Sequence, residues 1–217
     1  MNNHIIITIG RQFGSGGRAI GRQLAKNLNI AYYDKELLAE AAKESGLCGE
    51  IFEKADERAS NRLSYAFSVE FPNMGLHTPY PDILSNEQLF LFQSNAIENI
   101  AAKGESCVLV GRCADYVLRE HPNLLSLFIH NKPENRIRNI VERQHVSAEA
   151  AAEMMKKTDK SRASYYKYYT DKEWGMSSSY HFSIDVSLLG FDHTVEMIGM
   201  IIEKRQKRQL AGEIAHR

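Results

Sequence analysis

The sequence has no surplus of charge of either sign: 27 Lys and Arg face 27 Asp and Glu over 217 residues. Without a global positive field, neither nucleic acid nor an anionic membrane surface is an expected partner, and any anion site has to be local. Cysteine is as scarce. Cys48, Cys107 and Cys113 are an odd set without CxxC spacing, which argues against a disulfide framework or a zinc knuckle and fits a reducing cytoplasm. No apolar run approaches the roughly 18 residues of a membrane helix, and the one near the N-terminus is too short for a signal-peptide core. None of the eight histidines stands in HExxH or a similar spacing, so no metal cluster is indicated.

What is present suffices for one compact domain over 1–217, since 43% of the residues are hydrophobic. Residues 5–9 are apolar on both alternating sets, as in a strand buried on two faces. A glycine-rich loop follows, and Ile20, Leu24 and Leu28 then recur every four residues, which predicts a helix over 17–27. A short strand at 30–33 precedes Asp34, which can cap a helix ending near Gly46. Residues 48–88 carry three of the five prolines and read as an insertion. A helix over "NEQLFLFQSNAIENIAAKG", strands at 107–110, 125–129 and 182–186, a charged helical hairpin over 134–169 and a helix over 192–207 complete the chain. Strands alternating with helices predict an α/β fold on a parallel sheet.

The loop "GRQFGSGGRAIG", Gly10 to Gly21, poses the chemical question. In the pattern GxxxxGK[ST], backbone N–H groups wrap phosphate oxygens, the lysine neutralises charge and the hydroxyl helps hold Mg²⁺. Aligned to it, this chain has Arg11 at the first glycine, Gly17 at the lysine and Arg18 at the hydroxyl. Gly14, Gly16 and Gly17, with Ser15, can still form a nest at a helix N-terminus. Arg18, or less directly Arg11, can replace the lysine with a guanidinium suited to two oxygens; the loop alone equally allows a glycine-rich turn with surface arginines. Arg112 ends a strand, where ligands of open α/β sheets gather. Asp159 and Arg162 stand three apart on a helix and share a face. In "SRASYYKYYTDKEWG", tyrosines and Trp174 alternate with basic residues; packing of the hairpin onto the core is expected of them rather than nucleic-acid stacking.

Together with "VLVGRCADYVLREHPNLLSLFIHNKPENRIRNIVERQ", "KKTDKSRASYY" and "IDVS", the loop resembles the cytidylate kinase-like branch of the P-loop nucleoside monophosphate kinases, over nearly the whole chain. The resemblance implies a three-layer α/β/α P-loop NTPase fold with a central parallel sheet of about five strands. Its core would be 1–47, 89–133 and 170–217, with a monophosphate-binding insertion at 48–88 and a helical lid at 134–169. The Gly111-Arg112 pair matches the family's GR pair, which contacts the nucleotide substrate. Arg136 and Arg143 match its lid arginines, Asp159 and Arg162 its DxxR, and Ile184 to Ser187 its last strand. The departures are specific. The loop lysine is absent, Cys113 stands where Asp commonly follows the GR pair, with Asp115 two residues on, and "DKELLAE" keeps Asp34 of a DSGxxYR-like stretch without its serine and arginine.

The implied function is a cytoplasmic kinase moving the γ-phosphate of Mg²⁺·ATP to CMP or dCMP. Arg11, Gly14, Ser15, Gly16, Gly17 and Arg18 would hold the donor, and Asp34, Arg112, Asp115 and Arg162 the acceptor. Arg18, Arg136, Arg143 and Arg162 would surround the transferring group, with Asp159 orienting Arg162. The Mg²⁺ ligands are open, Ser15 and Asp115 being the candidates. Two other readings stand beside it: a P-loop kinase for another small metabolite, and a non-catalytic nucleotide-binding protein.

Overall fold

A computed structural model describes residues 4–34 and 86–212. The helix expected after Asp34, nearly all of the insertion at 48–88 and the last five residues lie outside them.

The sheet order is β2-β3-β1-β4-β5, with every neighbouring pair parallel. Its strands are β1 (Ile6–Arg11), β2 (Ala31–Tyr33), β3 (Cys107–Val110), β4 (Leu124–His130) and β5 (Phe182–Asp185). The described helices are α1 (Gly17–Leu28), α2 (Asn86–Ala102), α3 (Ala114–Val117), α4 (Pro133–Gln144), α5 (Ala148–Thr170) and α6 (Val186–Leu210).

The two alternating sets of β1 explain the layers. Ile5, Ile7 and Ile9 pack with Val108, Val110, Leu125 and Leu127 against Ile20 and Leu24 of α1 and Val195, Ile198 and Ile202 of α6. Ile6 packs on the other side with Leu109 and Leu124 against Ile97 and Ile100 of α2 and Leu118. Each fully buried aliphatic side chain stabilises the fold by about 1.5–3 kcal/mol, so this doubly covered central strand is a rigid base for the loop it feeds. Among the described residues no helix is long and apolar enough to cross a membrane.

Two boundaries differ clearly from the sequence expectation. Strand β1 continues to Arg11 because Gly10 and Arg11 pair with Phe128 and Ile129 of β4, a long-range pairing that local apolar alternation does not reveal. Helix α6 starts at Val186 rather than 192, since the Asp185 carboxylate accepts from the Ser187 N–H at 2.8 Å and caps it. A break at Gly190, with φ 75° and ψ −179°, hides that first turn from any periodicity. The hairpin is α4 and α5, joined through left-handed His145 (φ 55°) and capped by Ser147, whose hydroxyl accepts from the Ala150 N–H at 3.2 Å.

Candidate active site

The loop Gln12 to Gly16 leaves the centre of the sheet and turns into α1. Gly14 and Gly16 have φ of 78° and 91°, left-handed values that a side chain resists. Gly16 is the N-cap and has no side chain to occupy the helix end, and no acidic residue stands in the first turn. The N-terminal amides and the positive end of the helix dipole therefore meet the cleft. Ser15 is buried, with its hydroxyl accepting from the Gly17 N–H at 3.3 Å.

The hairpin is docked on this loop. The Arg136 guanidinium, buried with its residue only 5% exposed, donates from Nε to the Phe13 carbonyl at 2.7 Å and from Nη2 to Asp159. Asp159 returns to the same residue: its Oδ1 accepts from the Phe13 N–H at 2.8 Å. Asn139 donates to the Gly14 carbonyl at 2.9 Å, and a Cβ on Gly14 would lie 2.7 Å from the Arg136 carbonyl oxygen. Arg143 and Arg162 lie over the Phe13 ring, 5.2 and 5.6 Å from its centroid. Arg162 also donates to the Arg11 carbonyl at 3.1 Å.

Two chambers meet here. The larger, about 400 Å³, is lined by Arg11, the loop glycines, Arg18, Asp34, Arg143 and Arg162. The smaller, about 60 Å³, is lined by Arg11, Arg112, Asp115, Arg162, Trp174 and Tyr180 among others. Arg11 and Arg162 belong to both. Arg112 reaches the smaller chamber on a turn in which Gly111, Arg112 and Cys113 have φ of 79°, 58° and 55°. Left-handed backbone at non-glycine residues costs about 1–3 kcal/mol each and gathers at functional sites.

Asp115 accepts from the Tyr166 hydroxyl at 2.7 Å. Burial raises its pKa above the ordinary 3.8, against the lowering effect of that hydrogen bond. Tyr166 and Tyr180 are buried, and Trp174 meets Phe128 edge-on at 5.3 Å, the packing role expected of these rings. Burial pushes the Cys113 thiol well up and the Cys107 thiol to about 12, so neither is a nucleophile near neutrality.

The sequence-predicted residues divide by place. Arg11, Gly14, Gly16, Gly17, Arg18, Asp34, Arg143 and Arg162 line the larger chamber, and Arg112 and Asp115 the smaller. Arg136 and Asp159 bind the loop's backbone. Arg18 donates from Nε and Nη2 to buried Asp34, at 3.0 and 2.7 Å. Phe13, Asn139 and the Tyr166 hydroxyl belong to the site without a motif to mark them; the four-residue spacing from Asn135 through Asn139 to Arg143, which puts Asn139 and Arg143 on neighbouring turns, is the one signal available.

The side chains fit a protein-held divalent cation poorly. Ser15, Asp34 and Asp115 are engaged as just described, and among the described residues no three His, Cys, Asp or Glu cluster.

The family model for the cytidylate kinase-like family matches residues 6–188. An uncharacterized protein from Eubacterium ventriosum ATCC 27560 is 31% identical, with 92% of this chain and 99% of that one covered and a TM-score of 0.70. A gluconokinase from Sinorhizobium meliloti 1021 is 13% identical, with 97% and 98% covered and a TM-score of 0.54. A shikimate kinase from Acinetobacter baumannii, solved with shikimate, is also 13% identical, with 93% and 94% covered and a TM-score of 0.51. None of the curated proteins matches the chain significantly. The family model spans the loop, the GR turn and the hairpin, and the solved structures share the fold: the chain belongs to the cytidylate kinase-like family and is an ATP-dependent phosphotransferase on the P-loop kinase scaffold.

Proposed function

We propose that the protein transfers the γ-phosphoryl group of ATP to CMP or dCMP, giving ADP and CDP or dCDP. The observation that carries this reading is the shared wall of the two chambers. Arg11 and Arg162 line both, so a donor phosphate in one and an acceptor phosphate in the other would meet the same two cations. The donor's phosphates rest against the Gly14 to Arg18 backbone, and Arg112 and Arg162 hold the acceptor phosphate.

In the transfer, an acceptor phosphate oxygen bonds to the γ-phosphorus as the bond from that phosphorus to the β,γ-bridging oxygen breaks. A phosphate acceptor needs no deprotonation at neutral pH, so alignment and positive charge suffice. Arg143 and Arg162, reaching over Phe13, supply the charge. Arg136 and Asp159 act through the loop they hold. Mg²⁺ is expected with ATP, carried on the nucleotide's phosphates and water, as this ion commonly is.

The stretch after β2, which keeps Asp34 but lacks the serine and arginine of the family's acceptor-reading pattern, favours a second reading, a compact phosphorylated or hydroxylated metabolite as acceptor. Incubation with Mg²⁺·ATP and each of CMP, dCMP, UMP, AMP and GMP, with ADP and diphosphate followed by chromatography, separates the readings. Turnover with the cytidine nucleotides alone is expected. ATP binding without turnover on any of the five would overturn the nucleotide reading and favour another acceptor or a nucleotide-binding role.

A further inference from the structure

Arg11 occupies the position of the signature's first glycine, and its side chain runs past two other glycines, Gly17 and Gly111. A Cβ on Gly17 would lie 2.6 Å from Arg11 Cβ and 3.2 Å from its Cγ. Real Cβ atoms essentially never approach so closely, and the neighbour here is the rigid base of a side chain rather than its tip. Gly17 is the lysine position of the pattern, so a lysine stem and the Arg11 stem compete for one space. At its other end, Arg11 lies over the end of β3. A Cβ on Gly111 would lie 2.9 Å from Arg11 Cζ. The side chain thus starts beneath the loop, crosses the ground a lysine would use and ends where the GR turn begins.

We propose that Arg11 is the phosphate-binding cation of this site: the charge has moved from the helix start to the strand end, and Gly17 is bare to seat its stem. The proposal rests on the reading that the loop holds the donor's phosphates. Two observations support it. Arg11 lines both chambers, so its charge lies between donor and acceptor. Arg162 donates to its carbonyl, which fixes the strand end from which the side chain departs.

A planar guanidinium can meet two phosphate oxygens where an ammonium meets them as a point charge. Spanning from loop to GR turn, it can hold the transferring group against both partners.

The test uses the full chain and two readouts: calorimetric binding of tripolyphosphate, which needs no acceptor, and ATP turnover with CMP. Arg11→Gln keeps the stem and removes the charge. It is expected to weaken tripolyphosphate binding by about tenfold or more and to lower turnover by about 10²–10³. Arg138→Gln, on the far side of α4 with Asn135 as its partner, is the control and is expected to change neither. Gly17→Lys alone is expected to lower Tm and phosphate binding, while Arg11→Gly with Gly17→Lys, which restores the GxxxxGK spacing, is expected to recover both.

Tripolyphosphate binding by Arg11→Gln as tight as that of the unaltered protein, or a Gly17→Lys protein that melts and binds like it, overturns the proposal. If the unaltered protein binds tripolyphosphate but turns over no acceptor, the kinase reading fails while the binding series still decides for or against Arg11. If it turns over CMP and Arg11→Gln does so equally, Arg11 alone is refuted. A protein that binds no tripolyphosphate refutes both.

Discussion

Asp159 and Phe13 are 146 positions apart and joined by a hydrogen bond of 2.8 Å from the Phe13 N–H to a carboxylate oxygen. With Arg136 on the Phe13 carbonyl, the peptide unit on either side of one residue is held by the two arms of the hairpin. The phosphate loop is thereby shaped by tertiary contacts as well as by its glycines.

Asp159→Ala leaves the Arg136 guanidinium buried without its carboxylate and the Phe13 N–H without an acceptor. Removing one partner of a buried pair typically costs about 3–5 kcal/mol. Asp159→Asn can still accept from Phe13, and a smaller loss is expected. Urea unfolding of both proteins checks the order; equal stability of Asp159→Ala and the unaltered protein would reject the clamp.

Arg143 and Arg162 lie outside that clamp. Arg143→Ala gives up an exposed cation–π contact worth about 0.5–1 kcal/mol, but turnover is expected to fall by about 10³ if its charge meets the transferring group. Arg162→Ala is expected to lower turnover as steeply while ATP affinity changes by less than about tenfold. Steady-state rates and ATP titration separate the two effects, and unchanged turnover in either variant would remove that arginine from the mechanism.

Much of the scaffold was legible because it is local. The doubly apolar β1, the glycine run and the four-residue apolar repeat of α1 each follow from neighbouring residues, and the parallel sheet follows from their alternation. The arginines were harder, because their roles depend on which face of α4 meets the loop. Arg136 and Arg143 point to Phe13, while Arg138 bonds Asn135. Nothing at positions 136 and 138 themselves marks one as buried. Arg18 likewise looked like the natural heir to the lysine; its pairing with Asp34 depends on how α1 lies against the end of β2.

Asp115 gives a pH signature. Burial raises its folded pKa above the ordinary 3.8, so the folded state favours the protonated acid. Its contribution to stability is fully present below the ordinary value and is lost as pH rises through the raised one. Asp115→Asn removes that titration while keeping an acceptor for Tyr166. The variant is expected to match the unaltered protein near pH 4 and to gain on it as pH rises toward neutrality. Parallel Tm curves from pH 4 to 8 would show that Asp115 ionises without penalty.

The GR turn offers the last and most direct link between strain and function. Arg112 has φ 58° between Gly111 and Cys113, both also left-handed. A left-handed backbone costs a non-glycine residue about 1–3 kcal/mol, and the freer unfolded chain of a glycine variant offsets only about 0.4–1 kcal/mol of what is recovered. Two truncations separate backbone from side chain. Arg112→Ala keeps the Cβ and the strain, whereas Arg112→Gly removes both, so the glycine protein is expected to be the more stable by about 1 kcal/mol even though its unfolded chain is freer. Both lose the guanidinium, and both are expected to lose acceptor turnover alike. That combination, stability recovered and activity lost, is what a strained residue kept for its side chain must give. If the alanine protein proves the more stable, the turn is not strained at Arg112; if either truncation turns over normally, the guanidinium does not hold the acceptor.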